Sequence, residues 1–127
     1  MTASRKKIIL AKVGLDGHDN GIRIISKWLM DGGHEVVYAG LYNTPERIIQ
    51  MALEENADVI GVSLLGGEHL FYARKFVELL AQGKMSHVKL LIGGVIPPID
   101  VEQLKKIGVH GVFTPGTRRD TVLNSFE

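Results

Sequence analysis

The sequence predicts an α/β fold in which one parallel five-stranded sheet is covered by helices on both faces. Short runs of aliphatic and β-branched residues alternate five times with longer amphipathic segments. The runs, such as residues 8–13, are nearly continuous in hydrophobicity, which is typical of strands buried on both faces. Because strands joined by helical crossovers run parallel and the crossovers are right-handed, the strand order 2-1-3-4-5 is favoured for five units.

The first half of the chain holds two strand and helix pairs. Residues 8–13 form the first strand, and from Gly21 the apolar residues recur at helical spacing, namely Ile22, Ile25, Trp28 and Leu29. Residues 35–38 form the second strand. Thr44 as N-cap and Pro45 at the first helical position begin the second helix, whose buried stripe is expected to comprise Ile48, Ile49, Ala52 and Leu53.

The second half holds the other three pairs. Strands are expected at residues 58–65, 88–92 and 111–113. A helix over residues 69–81 has an apolar face of Leu70, Ala73, Val77 and Leu80, the next helix carries Val101, Leu104 and Ile107, and the last spans residues 120–126. The whole pattern predicts a flavodoxin-like sheet.

Composition limits the classes of function. The 127 residues are 45% hydrophobic and 23% charged, which predicts one domain over residues 1–127 with an ordered core of about residues 6–126. A net charge of +1 gives no support to a nucleic-acid or membrane partner, and no apolar window is long enough to cross a membrane. The absence of cysteine excludes disulfides and thiolate metal sites, so we expect a cytoplasmic protein.

Residues able to bind a ligand follow the strands. In open parallel sheets, ligands bind beyond the carboxyl ends of the strands where the order reverses, here after strands one and three. The loop after strand one contains three glycines, two aspartates and a histidine, and further glycines follow strands three, four and five. Glycines allow a backbone to approach a ligand closely, although any one of these loops could need them only for a tight turn.

His18 is the candidate for metal or proton chemistry. Asp16, two residues before it, could accept a hydrogen bond from one imidazole nitrogen and leave the other free. This spacing fits a metal ligand, a general base or a surface histidine beside two acids. Because one histidine without nearby cysteines does not complete a protein-only metal site, a metal carried in a macrocycle is favoured.

These residues together resemble a known family. Asp16, His18 and Gly21 fit a DxHxxG motif, Ser63 and Leu65 fit its SxL partner, and the Gly93–Gly94 pair fits the glycines that follow. The sequence resembles cobalamin-binding domains of the base-off, histidine-on type, above all that of methylmalonyl-CoA mutase and its relatives. The resemblance covers essentially the whole chain and includes the later Pro-Gly-Thr segment.

The resemblance implies a role for each matching residue. His18 would be the lower axial ligand of cobalt, Asp16 would orient it, and Lys12 would extend this relay. The nucleotide tail of the cofactor would lie between strands one and three, and the remaining binding residues would be Gly17, Asp19, Gly21, Ser63, Leu65, Gly93, Gly94, Gly116 and Thr117. The Ser63 hydroxyl could satisfy a ring nitrogen, although a serine at a strand end can also cap the next helix. Many relatives carry arginine where this chain has Asn20.

The resemblance also implies a function. Relatives perform a radical carbon-skeleton isomerisation with adenosylcobalamin and bind the acyl-CoA in a large barrel domain, for which 127 residues have no room. We therefore expect the cofactor subunit of an isomerase, inactive alone, in a hetero-oligomer with a barrel-bearing large subunit. The acyl-CoA held by that subunit would be methylmalonyl-CoA, isobutyryl-CoA or 2-hydroxyisobutyryl-CoA.

Two other functions remain open from the sequence. A corrinoid protein could carry a methyl group between methyltransferases, but such proteins usually have a helical cap before the binding domain, and here the first strand starts within ten residues. A non-catalytic cobalamin carrier or sensor would need no barrel partner. Among the other histidines, His69 either contacts the corrin or, as we expect, begins the third helix, and His34, His87 and His110 are expected at the surface.

Overall fold

The computed structural model describes residues 5–14, 20–64, 67–114 and 116–126. In these ranges strands and helices alternate as predicted, and the strand bounds differ from the expected ones by one or two residues at most. The elements are β1 (Lys7–Lys12), α1 (Asn20–Asp31), β2 (Glu35–Tyr38), α2 (Pro45–Glu55), β3 (Val59–Ser63), α3 (His69–Gln82), β4 (Lys89–Gly93), α4 (Pro98–Ile107), β5 (Gly111–Phe113) and α5 (Arg119–Phe126).

The strands form one parallel sheet in the order β2-β1-β3-β4-β5, so the predicted flavodoxin-like order is confirmed. The order reverses between β1 and β3. At that end of the sheet Lys12 pairs with Ser63, and Ser63 pairs with Gly93 on the other side. Three residues singled out by sequence therefore lie in one row across neighbouring strands.

Two apolar layers hold the helices against the sheet. Side chains alternate along β1, so that Ile9 joins the layer beneath α2, α3 and α4, while Ile8 and Leu10 join the layer beneath α1 and α5. The first layer contains Phe76, which is fully buried, and the second contains Phe126. No helix within the described ranges has both the length and the apolar character that crossing a membrane requires.

Helix α2 begins as predicted, but its buried stripe is narrower. The Thr44 hydroxyl accepts a hydrogen bond from the Arg47 backbone N–H at 3.2 Å. Ile48 and Ala52 are fully buried, whereas the Leu53 side chain is 58% exposed, so the prediction that it belongs to the stripe was wrong. Leu53 lies one turn beyond Ile49, which is itself only partly buried at the edge of the stripe.

The prediction of a surface position was wrong for His34. This side chain is only 7% exposed, because its Nδ1 atom accepts a hydrogen bond from the Lys6 backbone N–H at 3.1 Å. It thereby ties the segment before β1 to the start of β2. His87 and His110 are exposed, as predicted.

An ion-pair cluster stabilises the amino end of the sheet. Lys7 Nζ lies 2.9 Å from Glu55 Oε1 and 3.0 Å from Glu35 Oε2. Hydrogen bonds to these two carboxylates raise the pKa of Lys7 above its usual value. The cluster lies at the end of the sheet opposite the predicted ligand end.

Candidate functional site

A cavity of about 250 Å³ opens at the carboxyl end of the sheet, on the face covered by α1 and α5. Its lining is mainly apolar, and it includes the hydroxyl side chains of Ser63 and Thr114. The lining residues come from four strands (β1, β3, β4 and β5), from α1 and α5, and from the segments after β4 and β5: Leu10, Gly21, Ile22, Ile25, Gly61, Val62, Ser63, Leu91, Gly93, Gly94, Phe113, Thr114 and Phe126. The cavity thus lies where the strand order reverses, as expected of a ligand site in an open parallel sheet.

The absence of a side chain at Gly61 shapes the floor of this cavity. A Cβ atom there would lie 2.7 Å from Leu10 Cδ2 and 3.1 Å from Phe126 Cζ. Phe126 also stacks on Phe113, with ring centroids 5.9 Å apart and planes 10° apart. These contacts fix the aromatic end of α5 against the strands.

The two glycines after β4 differ in what surrounds them. A Cβ atom on Gly94 would lie 2.6 Å from the Leu64 carbonyl oxygen, so the fold itself requires glycine there. A Cβ atom on Gly93 would meet the Phe113 carbonyl oxygen at 3.7 Å, an ordinary contact distance. The fold therefore does not require glycine at residue 93, where a side chain would occupy space beside the cavity.

Lys12 is a buried lysine at the edge of the cavity. Lys12 is 3% exposed, and its Nζ atom donates a hydrogen bond to Ser63 Oγ at 3.0 Å. The backbone carbonyl of Lys12 accepts hydrogen bonds from Asn43, through Nδ2 and the backbone N–H, both at 3.1 Å. Asn43 is buried and also binds the Gly40 carbonyl at 2.9 Å, so it fastens the loop after β2 to the end of β1.

His69 begins α3, as predicted, and is 4% exposed. Its Nδ1 atom accepts a hydrogen bond from the Gly67 backbone N–H at 3.2 Å, so Nε2 carries the proton and donates to Asp100 Oδ2 at 2.7 Å. Asp100 is in the first turn of α4. His69 therefore joins the loop after β3 to α4, on the face of the sheet opposite the cavity.

The structure brings together some of the residues predicted for the site. Gly21, Ser63, Gly93 and Gly94 all line the cavity. Gly116 and Thr117 do not line it; the Thr117 hydroxyl instead donates to the Thr114 carbonyl at 2.7 Å and accepts from the Thr114 N–H at 3.2 Å. Five predicted residues lie outside the described residues, namely Asp16, Gly17, His18, Asp19 and Leu65.

Several lining residues were not predicted from sequence. Gly61 had a usable signal, because a glycine inside a run of β-branched strand residues often marks a close approach. Phe126 and Leu10 had none, since their positions depend on contacts between distant parts of the chain.

The comparison that decides the family is a sequence match over almost the whole chain. Residues 6–123 match the B12 binding domain. This chain belongs to the B12-binding domain family. The resemblance noted from the DxHxxG and SxL motifs is thereby confirmed.

Relatives in the B12-binding domain family include subunits of acyl-CoA mutases. This chain is similar to the 2-hydroxyisobutanoyl-CoA mutase small subunit of Aquincola tertiaricarbonis, with 39% identity over 119 residues, 94% of this chain and 88% of the relative. It is 38% identical to the pivalyl-CoA mutase small subunit of Xanthobacter autotrophicus over 117 residues, 92% of this chain and 78% of the relative. It matches the methylmalonyl-CoA mutase large subunit of Streptomyces virginiae with 39% identity, over 89% of this chain but 15% of that protein.

A solved structure of a cobalamin-binding protein has the same fold. A cobalamin-binding protein from Desulfitobacterium hafniense is 28% identical, with a TM-score of 0.76. The match covers 93% of this chain and 56% of that one, so this chain spans little more than half of that protein.

Proposed function

We propose that this chain is the cobalamin-binding small subunit of an acyl-CoA mutase and acts as the cofactor subunit of an isomerase. Two of its relatives are small subunits of such mutases, and the similarity extends over most of their length. The observation that carries the proposal is the apolar cavity over the carboxyl ends of β1, β3, β4 and β5, which include the two strands that the DxHxxG and SxL residues follow.

The described residues suit one part of a cobalamin. A cavity of about 250 Å³ is smaller than typical pockets for whole drug-sized ligands, so it suits a single flat ring system. Its mainly apolar lining favours an aromatic base, and Ser63 offers a hydroxyl to a polar ring atom. We assign the nucleotide tail of the cofactor to this cavity, with Gly93 leaving the space that the ring needs.

The axial ligand is assigned from the motif. His18 would hold the cobalt of the cofactor, with Asp16 orienting the imidazole and Lys12 extending the relay. Gly17, Asp19 and Leu65 are proposed to complete the contacts around the cofactor. Thr117 acts through its two hydrogen bonds to Thr114, which lines the cavity.

The proposed cofactor form is adenosylcobalamin. When bound, adenosylcobalamin supplies the radical chemistry that a carbon-skeleton rearrangement requires. The residues of this chain hold the nucleotide tail in a mainly apolar cavity, orient the axial imidazole and fix the position of the corrin. They do not bind substrate.

The proposed partner is a barrel-bearing large subunit that holds the acyl-CoA in a cytoplasmic hetero-oligomer. The existence of a methylmalonyl-CoA mutase large subunit that contains a region similar to this chain supports the pairing of these two parts. Methylmalonyl-CoA, isobutyryl-CoA and 2-hydroxyisobutyryl-CoA are the candidate substrates, and the large subunit selects among them.

Reconstitution tests this function. The chain, adenosylcobalamin and a mutase large subunit are combined with each candidate acyl-CoA, and isomerised product is measured by chromatography and mass spectrometry. We expect product only when all components are present. Cobalamin binding by the chain without any effect on the activity of large subunits would contradict the mutase assignment and favour a carrier or sensor.

A further inference from the structure

The contact between Lys12 and Ser63 joins the end of β1 to the wall of the cavity. The two residues pair across β1 and β3, and both side chains lie on the face that carries the cavity. The Lys12 side chain reaches Ser63 Oγ at 3.0 Å from a position that is almost fully buried. Lys12 therefore contacts a residue that lines the cavity, although Lys12 itself does not line it.

In this contact Lys12 must be the hydrogen-bond donor and Ser63 the acceptor. A lysine ammonium carries three N–H donors and no acceptor, so the Ser63 oxygen must accept in this bond. The serine then has its own hydroxyl proton to donate. In the part of the chain that the structure describes, no group accepts that proton, and Ser63 borders the cavity.

We propose that Lys12 fixes Ser63 as a hydrogen-bond donor toward the cavity, so that the cavity selects a ring with an unprotonated nitrogen at its edge. This inference rests on the proposed function, since the ring is the base of the cobalamin nucleotide tail. Lys12 is a positioning residue that acts through Ser63, in addition to its assigned place in the axial relay. The favoured ligands are cobamides with an azole base, and those with a phenol base, which has no ring nitrogen, are disfavoured.

The test uses two corrinoids that differ in the tail alone. Aquocobalamin has the nucleotide tail, and diaquocobinamide is the same corrin without it. Affinities are measured by equilibrium dialysis for the unaltered chain, Lys12→Met, Ser63→Ala and the double variant. We expect each single variant to lose about tenfold in cobalamin affinity relative to cobinamide affinity, with the double variant losing no more than either, because each of the three removes the fixed Ser63 donor toward the ring. Ser63→Ala should leave the cobinamide affinity itself unchanged.

Three controls make the result specific. Lys12→Arg keeps a donor-only cation and should restore most of the cobalamin affinity. Lys89→Met makes the same substitution at a strand lysine at the opposite end of the sheet and should change neither affinity. Circular dichroism of every variant establishes that the fold is retained.

A cobamide with a phenol base should bind the unaltered chain about tenfold more weakly than cobalamin, and Lys12→Met should reduce this preference.

Other outcomes overturn the inference. Equal losses for cobalamin and cobinamide in Lys12→Met mean that Lys12 acts through the axial ligand alone. Additive losses in the double variant mean that Lys12 and Ser63 act independently. If the unaltered chain binds neither corrinoid, the proposed function itself fails. If the unaltered chain binds both and Lys12→Met changes neither affinity, only the inference about Lys12 fails.

Discussion

At the scale of single residues, Gly93 and Gly94 are adjacent but have different reasons to be glycine. Gly94→Ala would place its Cβ atom 2.6 Å from the Leu64 carbonyl oxygen, which forces the backbone to move. We expect this variant to lose about 2 kcal/mol in free energy of unfolding, measured by urea denaturation with circular dichroism.

Gly93→Ala is the matched variant. Its Cβ atom would meet only ordinary contact distances, so we expect a change in unfolding free energy within about 0.5 kcal/mol. Because Gly93 lines the cavity, the bulkier Gly93→Leu should lower cobalamin affinity at least tenfold. Unchanged affinity in Gly93→Leu would exclude the cavity as the place of the tail.

His69 and Asp100 give a second prediction at the residue scale. His69→Ala leaves the Gly67 N–H and the Asp100 carboxylate without their histidine partner, and we expect it to cost about 1 to 3 kcal/mol of unfolding free energy. Asp100→Asn keeps an acceptor oxygen for His69 Nε2 and should cost less. Thermal unfolding of both variants gives the comparison, and equal losses would show that the hydrogen bond to Asp100 contributes little.

At the scale of elements, α5 closes one side of the cavity with an aromatic ring. Phe126 is fully buried, stacks on Phe113 and covers Gly61. Phe126→Ala should cost about 3 to 5 kcal/mol because it removes a large buried side chain and leaves a void.

Phe126→Leu separates stability from binding. It should cost less stability because it keeps most of the buried apolar volume, and it should widen the cavity only slightly. Urea denaturation gives the free energies, and equilibrium dialysis gives cobalamin affinity. A fold unaffected by Phe126→Ala would contradict the packing described for α5.

Elements were predictable from sequence wherever a local pattern carried the information. The strands followed from continuous apolar runs such as β3, and α2 followed from Thr44 and Pro45. Burial at the edges of a helix or before a strand depends on distant partners. Leu53 was therefore placed wrongly in a core stripe, and His34 was placed at the surface although Lys6 binds it.

The residues of the candidate site also fall into those that a local motif predicts and those that only tertiary packing places. The motif residues Ser63, Gly93 and Gly94 were predicted and do converge on one cavity. The floor residues Leu10 and Phe126 come from the two ends of the chain and meet only through tertiary packing, so no local pattern indicates them. Thr117 was predicted near the far end of the nucleotide pocket; it does not line the cavity, and its hydroxyl is hydrogen-bonded to the lining residue Thr114.

At the scale of the whole molecule, cobalamin binding should stabilise the fold. A ligand that binds only the folded state at one hundred times its Kd adds about 2.7 kcal/mol to the free energy of unfolding. Residues of β1, β3, β4 and α5 line the cavity, so a bound nucleotide tail would contact all four elements. We therefore expect cobalamin to raise the melting temperature by more than equimolar cobinamide does. Differential scanning calorimetry measures both shifts, and equal shifts would indicate that the nucleotide tail makes no contact with this fold.

The central claim is that a nitrogen of this chain binds cobalt while the cofactor's own base lies in the cavity. Electron paramagnetic resonance of cob(II)alamin bound to uniformly nitrogen-15-labelled protein tests it most directly, because the axial nitrogen splits each cobalt line. We predict that each line splits into two with labelled protein and into three with unlabelled protein, which supports His18 as the ligand. Lines that split into three with labelled protein would show that the cofactor has kept its own base, and that result would contradict the account.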